Sequence, residues 1–474
     1  MCKIGSAGII LCAKPSEADE VCALLQKAGR GDSIIRLNGR NGGFNFLAYA
    51  LARLGADAIS SIVEYLLRVV EIVRNASPLP AGNGDAFWLD ELRRTLSHLL
   101  LPIYWATGTL RMADIIACVR SAATSLEQMR DPEWQRQSFF FQIFAAAADR
   151  MGEATGQQLM AYWREFAQMD GKLRGSVLAS FNMLDRFNHG ILREGLCGKT
   201  DVVPALCFHG VIFVLDTPRA IHGEDGVIFQ MVWKDAFQTE VLGRNALEPI
   251  HRDRFLFCYA DEFQEFITSR DSEFLAQSRS SRCTTIALTQ SLPSLYAKLG
   301  PNSHDRVHAL IANMAVRFYG ANGCNVTNGW ASQAIGKVVQ RRSNFSASEG
   351  RNTSYGLNMG EGRNHGTQGN WGGNSGYSSS SGGGSTSGGN SWGGGWSDGD
   401  NHNWGRSRGG GSNHGTSNGW SETLEDAVEP GFFARGLKVG GPAHGFRVST
   451  ILHQPARRFA ATGTNYTLIE WSQL

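Results

Sequence analysis

Short apolar runs alternate with longer amphipathic stretches along this chain, and the two periods divide it into elements. Gly8-Ile9-Ile10-Leu11-Cys12-Ala13 is a continuous apolar run closed by Lys14-Pro15, as a strand buried on both faces requires. Ser16 stands where it caps a helix over Glu17 to Ala28, and Ser33 to Leu37 reads as a second strand. The period then lengthens. Ile59, Ile62, Val63, Leu66, Leu67, Val70 and Val73 form one helical stripe, and Leu89, Leu92, Leu96, Leu99 and Leu100 form another. From Ile59 to Tyr162 the reading is helical throughout. The short period returns at Gly210 to Asp216, and a helix follows over Val227 to Leu242. Further strands are expected at Phe255–Ala260, Thr284–Thr289 and Ala315–Tyr319, with helices around Phe274–Ser278 and Val307–Asn313 between them. Strands alternating with helices predict an α/β fold with a mainly parallel sheet and helices on both faces.

Past residue 340 the pattern breaks. Residues 341–421 are dense in Gly, Ser and Asn, with Trp371, Trp392, Trp396, Trp404 and Trp420 scattered through them. Such a composition buries too little apolar surface to offset its ordering entropy, so a disordered insertion is expected. It serves either as a flexible linker or as an aromatic segment that touches nucleic acid or a partner. The expected organisation is residues 1–56 and 166–340 as the α/β core, 57–165 as an inserted all-α domain, and 422–474 as a return to the core. The last strand is expected at Tyr466–Trp471.

Composition narrows the function classes. With 474 residues, 42% hydrophobic, the chain is long enough for a large core. A net charge of +2 argues against coating nucleic acid by bulk electrostatics, though not against a local basic lining. The 9 cysteines include no C-x-x-C pair and no zinc-like spacing, which fits a reducing, cytosolic setting. No apolar stretch approaches the roughly 20 residues of a membrane span; Ser138 to Ala148 comes nearest and suits a buried helix.

The candidate chemistry sits on the strand Phe255-Leu256-Phe257-Cys258-Tyr259-Ala260, which ends in Asp261-Glu262. An acid pair at the C-terminal edge of a parallel strand suits nucleotide hydrolysis. The first carboxylate holds Mg²⁺ through its water shell and the second polarises the attacking water. The plain alternative is two solvated loop acids. Gln290 ends the next strand and is placed to sense a γ-phosphate. Arg279 and Arg282 precede that strand, where a guanidinium fork suits an arginine finger reaching a neighbouring subunit; a helix-end cation is the plain reading.

Tyr259-Ala260-Asp261-Glu262-Phe263-Gln264-Glu265-Phe266, then Gln277-Ser278-Arg279, then Leu288-Thr289-Gln290-Ser291-Leu292-Pro293-Ser294-Leu295 resemble the C-terminal half of type IV secretion coupling proteins of the TraG/TraD kind. Leu11-Cys12-Ala13-Lys14-Pro15, Phe44-Asn45-Phe46-Leu47 and Val214-Leu215-Asp216-Thr217-Pro218 agree. The resemblance implies a RecA-like P-loop NTPase core carrying a TraM-recognition segment. It implies ATP and Mg as cofactors. Asp261 and Glu262 match the family's Walker B pair, Gln290 its third-motif glutamine and Arg279 its arginine finger; Asp261 and Gln290 would contact nucleotide. The implied partners are single-stranded or relaxase-bound DNA, relaxosome proteins, the secretion channel and further copies in a homo-hexamer. The implied place is the cytoplasmic face of the plasma membrane.

The phosphate loop of the family precedes the segment that begins near Gly8, so Walker A is expected to lie outside this chain. Gly198-Lys199-Thr200 supplies only the ending of G-x-x-x-x-G-K-[ST], because Arg193 stands where the first glycine belongs. Candidate nucleic-acid cations are Lys172, Arg174, Arg186, Arg193, Lys298, Arg306, Arg317, Lys337, Arg341 and Arg342, each otherwise a solvated surface charge. Three functions are compatible with these features: a coupling-type ATPase moving DNA or a DNA–relaxase complex, a non-catalytic adaptor of such a machine, and another RecA-like translocase related to FtsK or to helicases.

Overall fold

A computed structural model describes residues 5–55, 59–76, 85–300, 303–352, 374–378, 387–391 and 411–473. The chain divides into two compact units, Met1–Ala315 and Val316–Leu474.

The first unit opens with β1 (Ala7–Leu11), α1 (Glu17–Lys27), β2 (Ile34–Leu37) and α2 (Phe46–Leu54). A helical region follows: α3 (Ile59–Ala76), α4 (Asp85–Ser97), α5 (Leu100–Thr107), α6 (Met112–Arg120), α7 (Leu126–Arg130), α8 (Pro132–Gln137), α9 (Phe139–Met151), α10 (Glu153–Gln168), α11 (Gly171–Asp185) and α12 (Gly190–Leu196). The unit closes with β3 (Ile212–Leu215), α13 (Arg219–Gly243), α14 (Pro249–Arg252), β4 (Leu256–Ala260), α15 (Arg270–Gln277), β5 (Cys283–Ala287), α16 (Leu292–Leu299) and α17 (His304–Ala312).

Five strands form one sheet in the order β2-β3-β1-β4-β5, every pairing parallel. The expected α/β class with a parallel sheet and a helical insertion is what the chain adopts. Strands β1 and β3 are wholly buried, which explains their unbroken apolar runs. A Cβ on Gly8 would lie 1.8 Å from the Phe257 carbonyl oxygen, so only glycine lets β1 approach β4 this closely. In the helical region, α9 starts where the Ser138 side chain accepts the Phe141 N–H, and it buries Phe140, Ile143, Phe144 and Ala147. Phe140 and Trp163 meet edge-to-face at 4.8 Å. Among the described residues no helix is long and apolar enough to cross a membrane.

Helix α13 is enclosed on every side from Gly226 to Gln238. Its polar side chains therefore need internal partners. Gln230 accepts the Cys12 N–H and donates to the Cys12 and Thr217 carbonyls at 2.9, 2.9 and 3.0 Å. Lys234 pairs with Asp271 at 2.6 Å, both side chains at most 3% exposed, and Gln238 donates to the other Asp271 oxygen at 2.7 Å. Asp235 accepts from Arg68 of α3 and Arg270 of α15 at 3.2 and 2.5 Å. The Asp271 carboxylate also accepts the Thr268 N–H at 2.8 Å, which fixes the segment leading from β4 to α15.

The second unit contains β6 (Arg317–Tyr319), α18 (Asn325–Ile335), β7 (Lys337–Asn352), β8 (Asn374–Ser378), β9 (Ser387–Ser391), β10 (Gly411–Asp426), α19 (Pro430–Arg435), β11 (Arg447–His453) and β12 (Tyr466–Ser472). Strands β12-β11-β6 make an antiparallel sheet packed on a small core of Ala331, Ile335, Val428, Phe433, Leu437 and Ile451. The strand expected at Ala315–Tyr319 thus pairs with β11 and does not extend the parallel sheet. Its pattern explains the difference: Val316 and Phe318 are exposed while Arg317 and Tyr319 are half-buried, the two-residue period of a one-sided strand.

The two ends of the glycine-rich stretch, expected to be disordered, pair as an antiparallel ladder from Lys337↔Asp426 to Asn352↔Gly411. Ion pairs Arg341–Glu422 and Arg342–Glu425, at 2.7 and 2.6 Å, cross it. Trp371, Trp392, Trp396 and Trp404 lie outside the described residues.

Breaking the buried pair on α13 has a defined cost. Asp271→Ala strands the Lys234 ammonium and should destabilise the fold by about 3–5 kcal/mol, while Lys234→Met with Asp271→Leu should recover most of that loss. Urea unfolding of the three proteins checks this, and a loss below about 1 kcal/mol for Asp271→Ala contradicts the buried pairing.

Candidate functional site

Three neighbouring strands of the parallel sheet, β1, β4 and β5, end at the same edge. Leu11 is in register with Ala260, and Ala260 with Ala287. The residues that follow each strand therefore converge: Lys14 after β1, Asp261 and Glu262 after β4, Gln290 after β5. The β4–β5 pairing continues beyond the strands, with Leu288 N–H donating to the Ala260 carbonyl at 3.0 Å and Phe263 N–H to the Leu288 carbonyl at 2.7 Å. That extension carries Gln290 over the acid pair.

Glu262 is the centre of the cluster. Its backbone is left-handed, φ 49° and ψ 50°, a strained conformation for a residue with a Cβ. Gln264 Nε2 donates to its carboxylate at 2.6 Å, and Gln290 Nε2 reaches both oxygens at 3.1 Å. The Gln264 hydrogen bond, followed by those from Gln290 and Lys14, holds the Glu262 carboxyl below its ordinary value. Asp261 Oδ1 accepts the Glu262 N–H at 2.9 Å. The Lys14 ammonium donates to Asp261 Oδ2 at 2.9 Å and lies 3.3 Å from Glu262 Oε1. The hydrogen bond to Asp261 is the main cause of its raised pKa.

Lys14 is itself positioned. Glu17 Oε2 accepts the N–H groups of Ala13 and Lys14 at 2.7 and 3.3 Å, which folds the turn after β1 toward the acid pair. Glu17 is 8% exposed, and burial raises its pKa.

The structure brings Asp261, Glu262 and Gln290 together as the sequence expects. Arg279 is not with them. It is exposed in the turn before β5, at the opposite sheet edge. The length of β5, five residues, puts about 16 Å between the two edges. Lys14, Glu17 and Gln264 escaped the sequence reading. A signal for Lys14 was present, because it directly follows a parallel strand, where ligand-binding groups of such sheets collect.

The donors at this edge are hard carboxylate and amide oxygens, which suit Mg²⁺. Among the described residues no group of three or more His, Cys, Asp or Glu forms a self-sufficient metal site, so a cation here needs water or a ligand to complete its shell. Gly198-Lys199-Thr200 follows helix α12 rather than a strand. Lys199 pairs with Asp201 at 3.4 Å and Thr200 Oγ1 accepts the Asn45 N–H at 3.0 Å, so the stretch does not form a phosphate cradle.

The fold and site define an α/β parallel-sheet protein with an acid pair and a glutamine at the carboxyl edge of adjacent strands. Residues 256–382 match the model of the family described as the TraM recognition site of TraD and TraG. The match begins on β4 and takes in the acid pair, Arg279 and Gln290, and the chain is TraG/TraD-like over this segment. No curated protein matches it. Among solved structures, the bacterial conjugative coupling protein TrwBdeltaN70 in its unbound monoclinic form is similar at 11% identity and TM-score 0.49, covering 99% of this chain and 85% of that one. The plasmid coupling protein TrwB in complex with ADP and Mg²⁺ is similar at 12% identity and TM-score 0.42, covering 71% and 76%. Its complex with a non-hydrolysable GTP analogue gives 13%, 0.42, 70% and 75%.

Two outcomes follow from the cluster. The Lys14 side chain is 55% exposed, so its ion pair contributes less than about 1 kcal/mol to stability. It nevertheless places a positive charge beside the carboxylates that would hold a divalent cation. Lys14→Ala should leave urea unfolding nearly unchanged and tighten Mn²⁺ binding on the order of tenfold, the Coulomb effect of a unit charge about 6 Å from a divalent ion in water; unchanged Mn²⁺ affinity contradicts the placement. The second outcome concerns acid. The depressed Glu262 pKa adds stability that is complete above the ordinary 4.5 and lost as pH falls through the lower folded value. Wild type and Glu262→Gln should therefore show parallel stability profiles above pH 4.5 and converge below it.

Proposed function

We propose that this chain is the hydrolysing side of a coupling-type ATPase, which uses ATP to recruit and translocate DNA or a DNA–relaxase complex in conjugative transfer. The observation that carries the reading is the Lys14–Asp261–Glu262–Gln290 cluster at the carboxyl edge of β1, β4 and β5.

In this reading Asp261 would hold Mg²⁺ through its water shell, and the metal when bound would supply Lewis-acid charge to the phosphates. Glu262, fixed by Gln264 and Gln290 and kept ionised, orients and polarises the attacking water. Gln290 exchanges its hydrogen bond to Glu262 for one to a γ-phosphate oxygen, which links the presence of nucleotide to the orientation of the base. Arg279 acts on the nucleotide of a neighbouring copy, since its own acid pair is at the other sheet edge. The match to a family described as a TraM recognition site supports relaxosome proteins as partners.

A non-catalytic adaptor is the second reading, and one observation favours it. Among the described residues no glycine-rich loop between a strand and a helix carries the phosphate-gripping lysine. Nucleotide titration separates the two, since micromolar ATP binding counts against the adaptor.

The test is MgATP hydrolysis by the whole gene product with and without single-stranded DNA. DNA-stimulated turnover is expected. Glu262→Gln should lower kcat at least 100-fold with ATP affinity within about threefold, as loss of a group acting in the transition state does. Absence of hydrolysis with DNA present sinks the catalytic reading.

A further inference from the structure

The second unit contains a cavity of about 520 Å³ at the end of its antiparallel sheet. Its walls are the end of α18, the start of β7 and the loop between β11 and β12. Three cations line it, Lys337, Arg457 and Arg458, and no carboxylate does. Elsewhere in the unit Arg341, Arg342, Lys438 and Arg447 each meet a glutamate within 3.2 Å. Asp426 stands opposite Lys337 in the β7/β10 ladder, yet no ion pair joins them. Arg458 likewise has no acidic partner among the described residues. Arg457 engages only a neutral oxygen, Gln454 Oε1 at 3.2 Å, and the Phe459 ring at 5.5 Å, which leaves most of its five N–H donors unspent.

The loop that presents the two arginines is shaped in advance. Phe459 N–H donates to the Thr464 carbonyl at 2.8 Å, and Gly463 N–H donates to that of Phe459 at 2.7 Å. Asn465 Nδ2 ties the loop to the Ile335 carbonyl at 3.3 Å. Ala456, immediately before the arginines, is held at φ 61°, a left-handed conformation that a residue with a Cβ keeps only when its surroundings impose it. A fixed loop bearing uncompensated guanidinium forks loses little freedom on binding an anion, and the fork matches phosphate geometry.

We propose that this cavity is a phosphate-binding site, with Lys337, Arg457 and Arg458 gripping the phosphate groups of a nucleic-acid strand or of a free nucleotide. The cavity belongs to the second unit and the acid pair to the first, and phosphate binding in the cavity does not require hydrolysis.

Two probes distinguish the sources of phosphate, both used without divalent ion: a labelled oligo-dT of about 20 nucleotides followed by fluorescence anisotropy, and ATP followed by equilibrium dialysis. The variants are Arg458→Gln alone, which removes a side chain without an ion pair and so preserves the fold, and the triple Lys337→Gln/Arg457→Gln/Arg458→Gln. Arg435→Gln, at an exposed cation of the same unit outside the cavity, is the charge-matched control for Arg458→Gln. The triple variant should lose at least tenfold in oligo-dT affinity, and the slope of log K against log salt should fall by about two, at roughly 0.7 per phosphate contact on a single strand. Loss of ATP binding with oligo-dT unaffected assigns the site to a free nucleotide. Unchanged affinity for both probes, or an equal loss in Arg435→Gln, overturns the proposal. Because neither probe needs the metal, failure here and failure of MgATP hydrolysis are read independently.

Discussion

The first unit depends on a single constraint: α13 is buried on all faces from Gly226 to Gln238, so the charged and amide side chains of that stretch are answered from other elements. Gln230 is answered by the end of β1, Lys234 and Gln238 by the start of α15, and Asp235 by α3 and α15 together. Glu240 faces Arg53 of α2 at 3.0 Å. An unpaired buried charge costs several kcal/mol, a large share of the stability of any domain. The helix therefore locks the sheet, the segment after β4 and the first helix of the insertion into one arrangement.

That arrangement is what gives the acid pair its geometry. The Lys234 ammonium donates to the Phe266 carbonyl, and its partner Asp271 holds the Thr268 N–H. The stretch from Phe263 to Asp271 is thereby fixed from inside, and Glu262 at its head keeps a backbone conformation it would not hold alone. The two sets of ionic contacts differ in kind. The Lys234–Asp271 pair is nearly inaccessible and costly to break at one partner, while the Lys14 contact is open to water and weak. A rigid base under a displaceable surface charge suits a site that exchanges a protein cation for a ligand cation.

The α/β alternation, the parallel sheet and the meeting of Glu262 with Gln290 were legible in the sequence because each rests on local pattern: apolar runs of strand length, and polar residues directly after them. What was not legible rests on tertiary register. Lys14 read as a strand terminator until the pairing of Leu11 with Ala260 placed it beside Asp261. The polar residues of α13 fell within a stretch read simply as helix, and nothing in the 3.6-residue period says that all its faces are covered. The strand expected at Ala315–Tyr319 as part of the parallel sheet forms over Arg317–Tyr319 and joins the antiparallel sheet instead. Its alternating exposure, the clue to a one-sided sheet, becomes visible only once burial is known. Composition alone also missed the β7/β10 ladder, because its cross-strand Arg–Glu pairs come from residues about 80 positions apart.

The position of Arg279 constrains how such a site could be completed. An arginine side chain extends about 7 Å from its backbone, less than half of the roughly 16 Å that separates the two edges of the sheet. Arg279 therefore cannot act on the acid pair of its own chain without unravelling β5, whose backbone is hydrogen-bonded to β4 along its whole length. A ligand within its reach would have to be presented from outside, at the edge where β5 begins. If that ligand is the nucleotide of a second copy, hydrolysis becomes a property of the assembly: one copy contributes Asp261, Glu262 and Gln290, and the next contributes the guanidinium. On that arrangement an isolated chain would bind its ligand yet turn it over slowly.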